Sequence, residues 1–392
     1  MSLLPVAEAQ ARLLALATPL PTETVPLIEA AGRWAAGDVT ARRTQPAADL
    51  SMMDGYAIRF ADLPGPWSVI GESRAGRGFE RSIGRGEAAR IFTGAPVPNG
   101  ADAILVQEEA ARDGDQLLLS GEGPARPGAS IRPRGSDFAE GACLFADGDL
   151  LTPGRIAAAA VGGYGALTVR RKPRIVLIST GDELVVPGAA VDEAMLPASN
   201  GVMLRSMISG AADVRDAGLV PDRLEALVDA FRVAEADIIV TTGGASVGDH
   251  DLIRPALTDA GAAIDFWRIA MRPGKPLLAG RLGDAIVLSL PGNPVSAFVT
   301  ARLFLLPLIA HLGGARHCFP MTETAQLGTP LPAVGSRDDY VRAILAGGRV
   351  TPLANQDSGA LSALAAANAL IVRPAGSPAA TVNEIVDILR VA

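Results

Sequence analysis

The sequence predicts an α/β protein: a central parallel sheet covered by helices and carried between β-rich modules. Three observations lead there. From 173 to 317, short apolar runs alternate with segments of helical period, the pattern of parallel strands joined by crossover helices. Inside that stretch, residues 241–296 hold three turns rich in Gly and Pro: TTGGASVGDHD, MRPGKP and PGNPVSA. Before and after it, from 56 to 149 and from about 318 onward, short β-patterned runs are separated by Gly and Pro.

At 392 residues the chain has room for about two to four domains. The reading divides it into a helical linking region (1–44 with 140–172), a β-rich domain (45–139), an α/β domain (173–317) and a C-terminal β domain (318–392). Residues 7–16 have helical spacing, 25–34 predict a second short helix, and 40–51 read as loop. WSVIGE, AARIFTG, AILVQEEA and QLLLSG are the strands of the β-rich domain. Residues 151–161 predict a helix, with Pro153 near its start and Gly162-Gly163 after it.

In the α/β domain, IVLIS (175–179) reads as a buried strand. Ser199 or Asn200 caps a helix over 199–208. Leu224, Leu227, Val228 and Phe231 form one helix face. Strands are expected at 237–240 and 264–270, a helix leading from 251 to 257, and a long helix over 294–310. The terminal module has strands at 340–345, 369–372 and 384–389.

Composition narrows the function. Hydrophobic residues make up 49% and aromatics only 4%, so the cores are built from Ala, Val, Leu and Ile. A net charge of −7 argues against nucleic acid held by bulk charge. The basic runs Arg132-Pro133-Arg134 and 170–174 read as solvated charge or as local anion contacts. Cys143 and Cys318 are the only cysteines, which is neither a disulfide framework nor a metal knuckle and fits a cytoplasmic setting. The N-terminus lacks a basic region and carries Glu8, so it reads as an amphipathic helix rather than a signal peptide. The longest apolar candidate, 303–312, is interrupted by Pro307 and His311, and no membrane span is expected.

The chemistry concentrates in turns. In STGDEL (179–184), Gly181 turns the chain after a strand and Asp182 and Glu183 follow. This is either a solvated turn or a Mg²⁺ or ribose contact at the sheet edge. Gly243, Gly244, Ser246 and Gly248 give an anion-cradle composition, and GxxxxGK[ST] is absent. His250, between Asp249 and Asp251, reads as a surface residue; Asp251 reads as a helix cap or metal contact. Arg272 and Lys275 flank Gly274, and suit an oxyanion or an exposed hairpin turn.

Pro291, Gly292, Asn293 and Pro294 open the long helix, with Asn293 as N-cap and Pro294 in the first turn. Its N-terminus would favour an anion at the same sheet edge. Alone, SMMDGYA (51–57) and FTGAPVPNGAD (92–102) read as loops. With three His and no Ser-His-Asp arrangement, HExxH or GxGxxG, positioning, cations and a metal are favoured over a covalent nucleophile.

Taken in order, ten strings span nearly the whole chain: SMMDGYA, RIFTGAPVPNGADAILVQEE, IRPRGSDF, LISTGDEL, ASNGVML, TTGGASVGDHD, MRPGKPLLAG, LPGNPVSAF, RDDYVRA and NQDSGALSALAAANALIVRP. With these the chain resembles the molybdenum insertases, the molybdopterin molybdenumtransferase family that includes the gephyrin E domain. The resemblance implies an elongated four-part subunit with a molybdopterin-binding-like central domain, a barrel-like C-terminal domain, and a homodimer. Adenylylated molybdopterin and molybdate would bind between the α/β domain of one subunit and the β-rich domain of the other. In a Mg²⁺-dependent reaction, molybdate joins the dithiolene, the pyrophosphate bond breaks and AMP leaves.

The resemblance carries catalytic roles onto Asp54, Thr93, Glu183, Asp222, Asp251 and Lys275, and binding roles onto Pro291, Pro294 and Ser358. Glu183 and Asp251 would hold the metal. Gly243, Gly244, Ser246 and Gly248 would cradle the nucleotide, beside Gly181, Asp182, Gly292 and Asn293. Arg272 and Lys275, around Gly274, would take molybdate or the pterin phosphate. Asp54 and Thr93 would complete the site across the dimer. Two alternatives stand beside it: an adenylyltransferase-like nucleotidyltransferase, and a non-enzymatic dimeric scaffold.

Overall fold

The computed structural model describes residues 3–243 and 252–391. Its centre is a six-stranded sheet ordered Asp213–Val220, Arg174–Thr180, Ile238–Thr242, Ala285–Leu290, Leu278–Leu282, Ala263–Trp267. The first four strands are parallel, and only Leu278–Leu282 runs against the rest. The expected all-parallel sheet is therefore mixed at one edge. Leu278–Leu282, which begins within MRPGKPLLAG (271–280) and for which no strand is expected, turns tightly into Ala285–Leu290. The polar strand Asp213–Val220 was also missed, because at a half-exposed sheet edge it carries no apolar run.

Strand alternation sends side chains to two cores. Ile175, Leu177, Ile238, Val240, Ile286 and Leu288 face one, with Leu204 and Ile208 of helix Ser199–Ile208 and the long helix beginning at Pro294. Val176, Ile178, Ile239 and Val287 face the other, with Leu227, Val228 and Phe231 of helix Leu224–Arg232 and with helix Ile253–Asp259. The N-terminal helix Val6–Ala15 buries Val6, Ala9 and Leu13 in the first core.

The long helix does not stop at Pro307. It passes through a wide turn at Ala301–Leu305 and continues to Leu312. Pro307 has no N–H for the Leu303 carbonyl; Gln10 Nε2 donates to that carbonyl instead, at 2.9 Å. Among the described residues one helix, the 19-residue Pro294–Leu312, is long and apolar enough to cross a membrane by length and composition alone. It is 83% buried in the fold, as a core helix is.

Residues 25–34 are not the expected helix. Thr22–Pro26 is a strand paired with Ala166–Arg170, followed by the one-turn helix Leu27–Ala30. Thr22, Thr24 and Val25 are β-branched and favour the strand. The β-rich module is a second six-stranded sheet, ordered Ala103–Val106, Gly55–Ile58, Glu87–Ile91, Trp67–Ser73, Gln116–Leu119, Ala110–Asp113.

The C-terminal strands close on themselves. Asp338–Ala346 pairs with Arg349–Pro352, then Glu323–Leu327, Ile385–Arg390 and Ala369–Arg373 follow, and the last pairs back with Asp338–Ala346. This is a closed five-stranded barrel. Outside the ring, Met271 and Arg272 of the central domain pair in parallel with Asp338 and Asp339.

Asp237 pins the entry to the central sheet. Arg171 donates to both its carboxylate oxygens at 2.7 Å, and the Arg174 amide donates at 2.7 Å. Burial pushes the Asp237 carboxyl up, but the Arg171 hydrogen bonds and then the Arg174 contacts outweigh it, and the group titrates below the ordinary carboxylate value. A depressed folded-state pKa stabilises above the unfolded-state pKa, and that stability is lost as pH falls through the folded one. Asp237→Asn is expected to cost about 1.5–3 kcal/mol near neutral pH, read as a lower urea midpoint. The gap from wild type should narrow in acid.

Candidate active site

Three neighbouring strands end together. Register places Ser179 beside Thr242 and Thr242 beside Leu290. The turns that follow, beginning at Gly181, Gly243 and Pro291, therefore meet at one carboxyl edge, where open α/β sheets bind ligands. There a cleft of 630 Å³ opens, lined among others by Ser179, Glu183, Asn200, Gly243, Gly292 and Pro294. Pro291 and Asn293 also line it.

The turns at Gly181 and Pro291 are held in place. The Leu184 amide donates to the Gly181 carbonyl at 3.0 Å. Thr180 Oγ1 donates to the Asp222 carboxylate, and the Asp222 amide donates to Asp182 Oδ1 at 3.1 Å. Asp182 and Asp222 thus brace the first turn, and neither is among the residues lining the cleft. Asn200 lies inside its helix rather than capping it, and its Nδ2 donates to the Gly292 carbonyl at 2.7 Å.

Asn293 occupies the N-cap position but makes no side-chain cap. Its side-chain Nδ2 donates to Ser358 Oγ at 3.0 Å, while the Ser358 carbonyl accepts from the Val295 backbone amide at 3.0 Å. Ser358 therefore supplies from the C-terminal region the acceptor that the helix start needs. Pro294 takes the first turn as expected.

A smaller cleft of 260 Å³ adjoins the first, sharing Pro276 and Ser296 with it. Arg272, Gly274 and Lys275 line it with Ser358, joined by Arg342 and Gln356 from the barrel side. Arg272 sits 3.9 Å from Asp339. Burial raises the Asp339 carboxyl above its usual range, against the pull of Arg272, Arg337 and Arg373. Arg342 is 1% exposed; burial lowers its guanidinium pKa. Gln356 fixes that strand, accepting from the Arg342 amide at 3.1 Å and donating to the Arg342 carbonyl at 2.9 Å.

Sequence reasoning assigned no role to Arg337, Asp339, Arg342 or Gln356. The string RDDYVRA (337–343) carries the family resemblance, but local pattern gives its individual charges no partner. The signal available was its period: Tyr340 and Arg342 fall on one face, and both are buried.

Asp54 and Thr93 form a unit of their own. Asp54 Oδ1 accepts from the Thr93 amide at 2.7 Å and from the Thr93 hydroxyl at 2.8 Å. These two bonds, the backbone one first, hold the Asp54 carboxyl below its ordinary value. Neither residue lines the two clefts. Thr93→Val is expected to move the Asp54 midpoint upward in an NMR titration. An unmoved midpoint would leave the backbone donor alone responsible.

Gly244, Ser246, Gly248, Asp249, His250 and Asp251 lie outside the described residues. Among the described residues no cluster of three or more His, Cys, Asp or Glu stands ready for a metal. Glu183 is exposed at the cleft edge. One carboxylate beside a phosphate ligand fits the way Mg²⁺ is commonly held.

Comparison with known proteins identifies the family. Residues 4–163 match the MoeA N-terminal region (domain I and II), 176–311 a probable molybdopterin binding domain, and 324–391 the MoeA C-terminal region (domain IV). The chain is 35% identical to molybdopterin molybdenumtransferase 2 of Mycobacterium tuberculosis over 369 residues, 90% of each chain. The chain belongs to the molybdopterin molybdenumtransferase family. A second molybdopterin molybdenumtransferase, from Haemophilus influenzae, is 37% identical over 305 residues, covering 76% of this chain and 75% of that one. The crystal structure of the molybdopterin biosynthesis moeA protein from Pyrococcus horikoshii superposes with a TM-score of 0.81 at 28% identity, over 99% of this chain and 100% of that one. As a molybdopterin molybdenumtransferase family member, the chain is a transferase of molybdenum cofactor biosynthesis.

Proposed function

We propose that this chain inserts molybdate into adenylylated molybdopterin and releases AMP. One observation carries the reading: two adjoining clefts share the wall Pro276 and Ser296, one faced by strand-end turns and the other by Arg272 and Lys275. The larger cleft suits the nucleotide and pterin. The smaller suits a tetrahedral oxyanion, with Arg272 as a fork and Lys275 as a point charge. A ligand lying across the shared wall brings its dithiolene end toward the oxyanion, and positioning of this kind lowers the barrier without a covalent enzyme intermediate.

Mg²⁺, held by Glu183 and Asp251, would neutralise phosphate charge as the pyrophosphate bond breaks. Asp54 and Thr93 stand outside both clefts of their own chain, which supports a homodimer in which they complete the partner's site. The free cysteines Cys143 and Cys318 agree with a cytoplasmic setting.

The test is AMP release by purified protein given adenylylated molybdopterin, Mg²⁺ and molybdate. Release should depend on all three, and Asp54→Ala and Glu183→Ala should each slow it by about 10²-fold or more. No release, or variants that match wild type, would sink the reading. Mixing the Asp54→Ala and Lys275→Ala chains should restore part of the rate if the site is shared. A mixture as inactive as its parents would place every residue on one subunit.

A further inference from the structure

Beside the oxyanion cleft lies another, of 360 Å³, whose wall includes Arg272, Arg337 and Asp339. Of the site residues read from the sequence, only Arg272 reaches it. Its distinctive member is Arg373, which is 5% exposed. One Arg373 nitrogen donates to the Pro378 carbonyl and, at 3.5 Å, to that of Pro332, while Nη1 has no partner. A buried guanidinium nitrogen without an acceptor is unfavourable, and a bound anion would supply one.

The charge favours an anion as well. Three guanidiniums, from Arg272, Arg337 and Arg373, face the single carboxylate of Asp339. Leu331, Pro332, Ala333 and Val334 give the cleft one apolar side, and Gly335, Ser336, Val341 and Gln356 complete the lining. That wall is fixed in place. Leu331 and Ala380 exchange two backbone hydrogen bonds at 2.9 Å, and the Val334 amide donates to the Ser377 carbonyl at 2.9 Å. A preformed pocket with one cationic and one apolar side binds an anion that carries an apolar body.

We propose that this cleft binds a small phosphate monoester. Its head meets Arg373, Arg337 and Arg272, and its organic part lies on residues 331–334. Because Arg272 and Arg337 line both clefts, the occupant draws on the charge that the oxyanion cleft uses. It therefore weakens oxyanion binding next door, and the coupling is reciprocal. The site itself stands independently of which oxyanion the smaller cleft takes.

Isothermal titration of the full chain with phenyl phosphate and with inorganic phosphate tests this. Phenyl phosphate should bind this cleft about tenfold or more tighter than inorganic phosphate does, because only the ester buries an aromatic ring. Arg373→Lys keeps the charge but loses the fork, and should weaken phenyl phosphate about tenfold. Arg337→Gln, away from the Pro378 contact, should do the same, with unchanged melting as the folding control. No binding, equal affinity for the two phosphates, or full affinity in both variants overturns the proposal. Molybdate titration of Lys275→Ala, run in parallel, reports on the smaller cleft alone, so the two readings fail separately.

Discussion

Lys275→Ala is expected to cut the AMP-release rate at saturating molybdate by about 10²–10³-fold. The ammonium works from a fixed backbone. The Lys275 carbonyl accepts from the Ile269 amide at 3.0 Å and from the Leu277 amide at 3.2 Å. Just before it, Gly274 has a φ of +107, and a Cβ there would meet Thr300 Cγ2 at 2.5 Å. The turn can therefore lie flat against the buried helix only with glycine at that position. A charge held in place by the fold needs little reorganisation when negative charge builds up on the ligand. Lys275→Arg should recover only part of the rate, since a planar fork replaces a compact point charge. A rate unchanged in Lys275→Ala would remove the oxyanion role from this cleft.

Gly243→Ala is expected to destabilise the central domain by about 2–4 kcal/mol. Gly243 has a φ of +96, and a Cβ would sit 2.1 Å from the Thr180 carbonyl oxygen. That oxygen is main chain at the end of a buried strand, so it cannot swing aside as a side-chain tip would. The same shift would pull apart the turns that begin at Gly181 and Gly243, so loss of AMP affinity should accompany the loss of stability. Urea unfolding and AMP titration on one preparation check both. A variant with a wild-type midpoint would mean that the two strand ends do not approach so closely.

Much of this architecture was legible because apolar runs and turn residues agree locally. IVLIS and AIVLSL are buried strands, Leu227, Val228 and Phe231 do share a buried helix face, and Pro294 does open the long helix. Legibility failed where tertiary partners override local pattern. Thr22–Pro26 becomes a strand because Ala166–Arg170 pairs with it from across the sequence. The long helix does run through Pro307 as expected, with Gln10 meeting the carbonyl that the proline frees.

The site divides in the same way. Gly181, Gly243 and Pro291 announce turns, and the sheet register then brings those turns together. Asn293 looks like a cap, yet its amide serves Ser358, a partner 65 residues away that no local rule names. Nothing local marks Arg342 and Arg373 as buried, and the closed barrel shows that they are.

The short pairing of Met271 and Arg272 with Asp338 and Asp339 has a mechanical meaning. It is a weld between the turn that carries Arg272 and a barrel that contributes no strand to the central sheet. Loosening the barrel core at Ile371 or Ile388, both fully buried, would slacken Arg272 without touching any group that meets the ligand. Such lesions would register in an assay as weakened oxyanion capture and would be mistaken for active-site mutations. On the proposed reading the barrel is a tensioning frame, and its rigidity would set how firmly an anion is gripped.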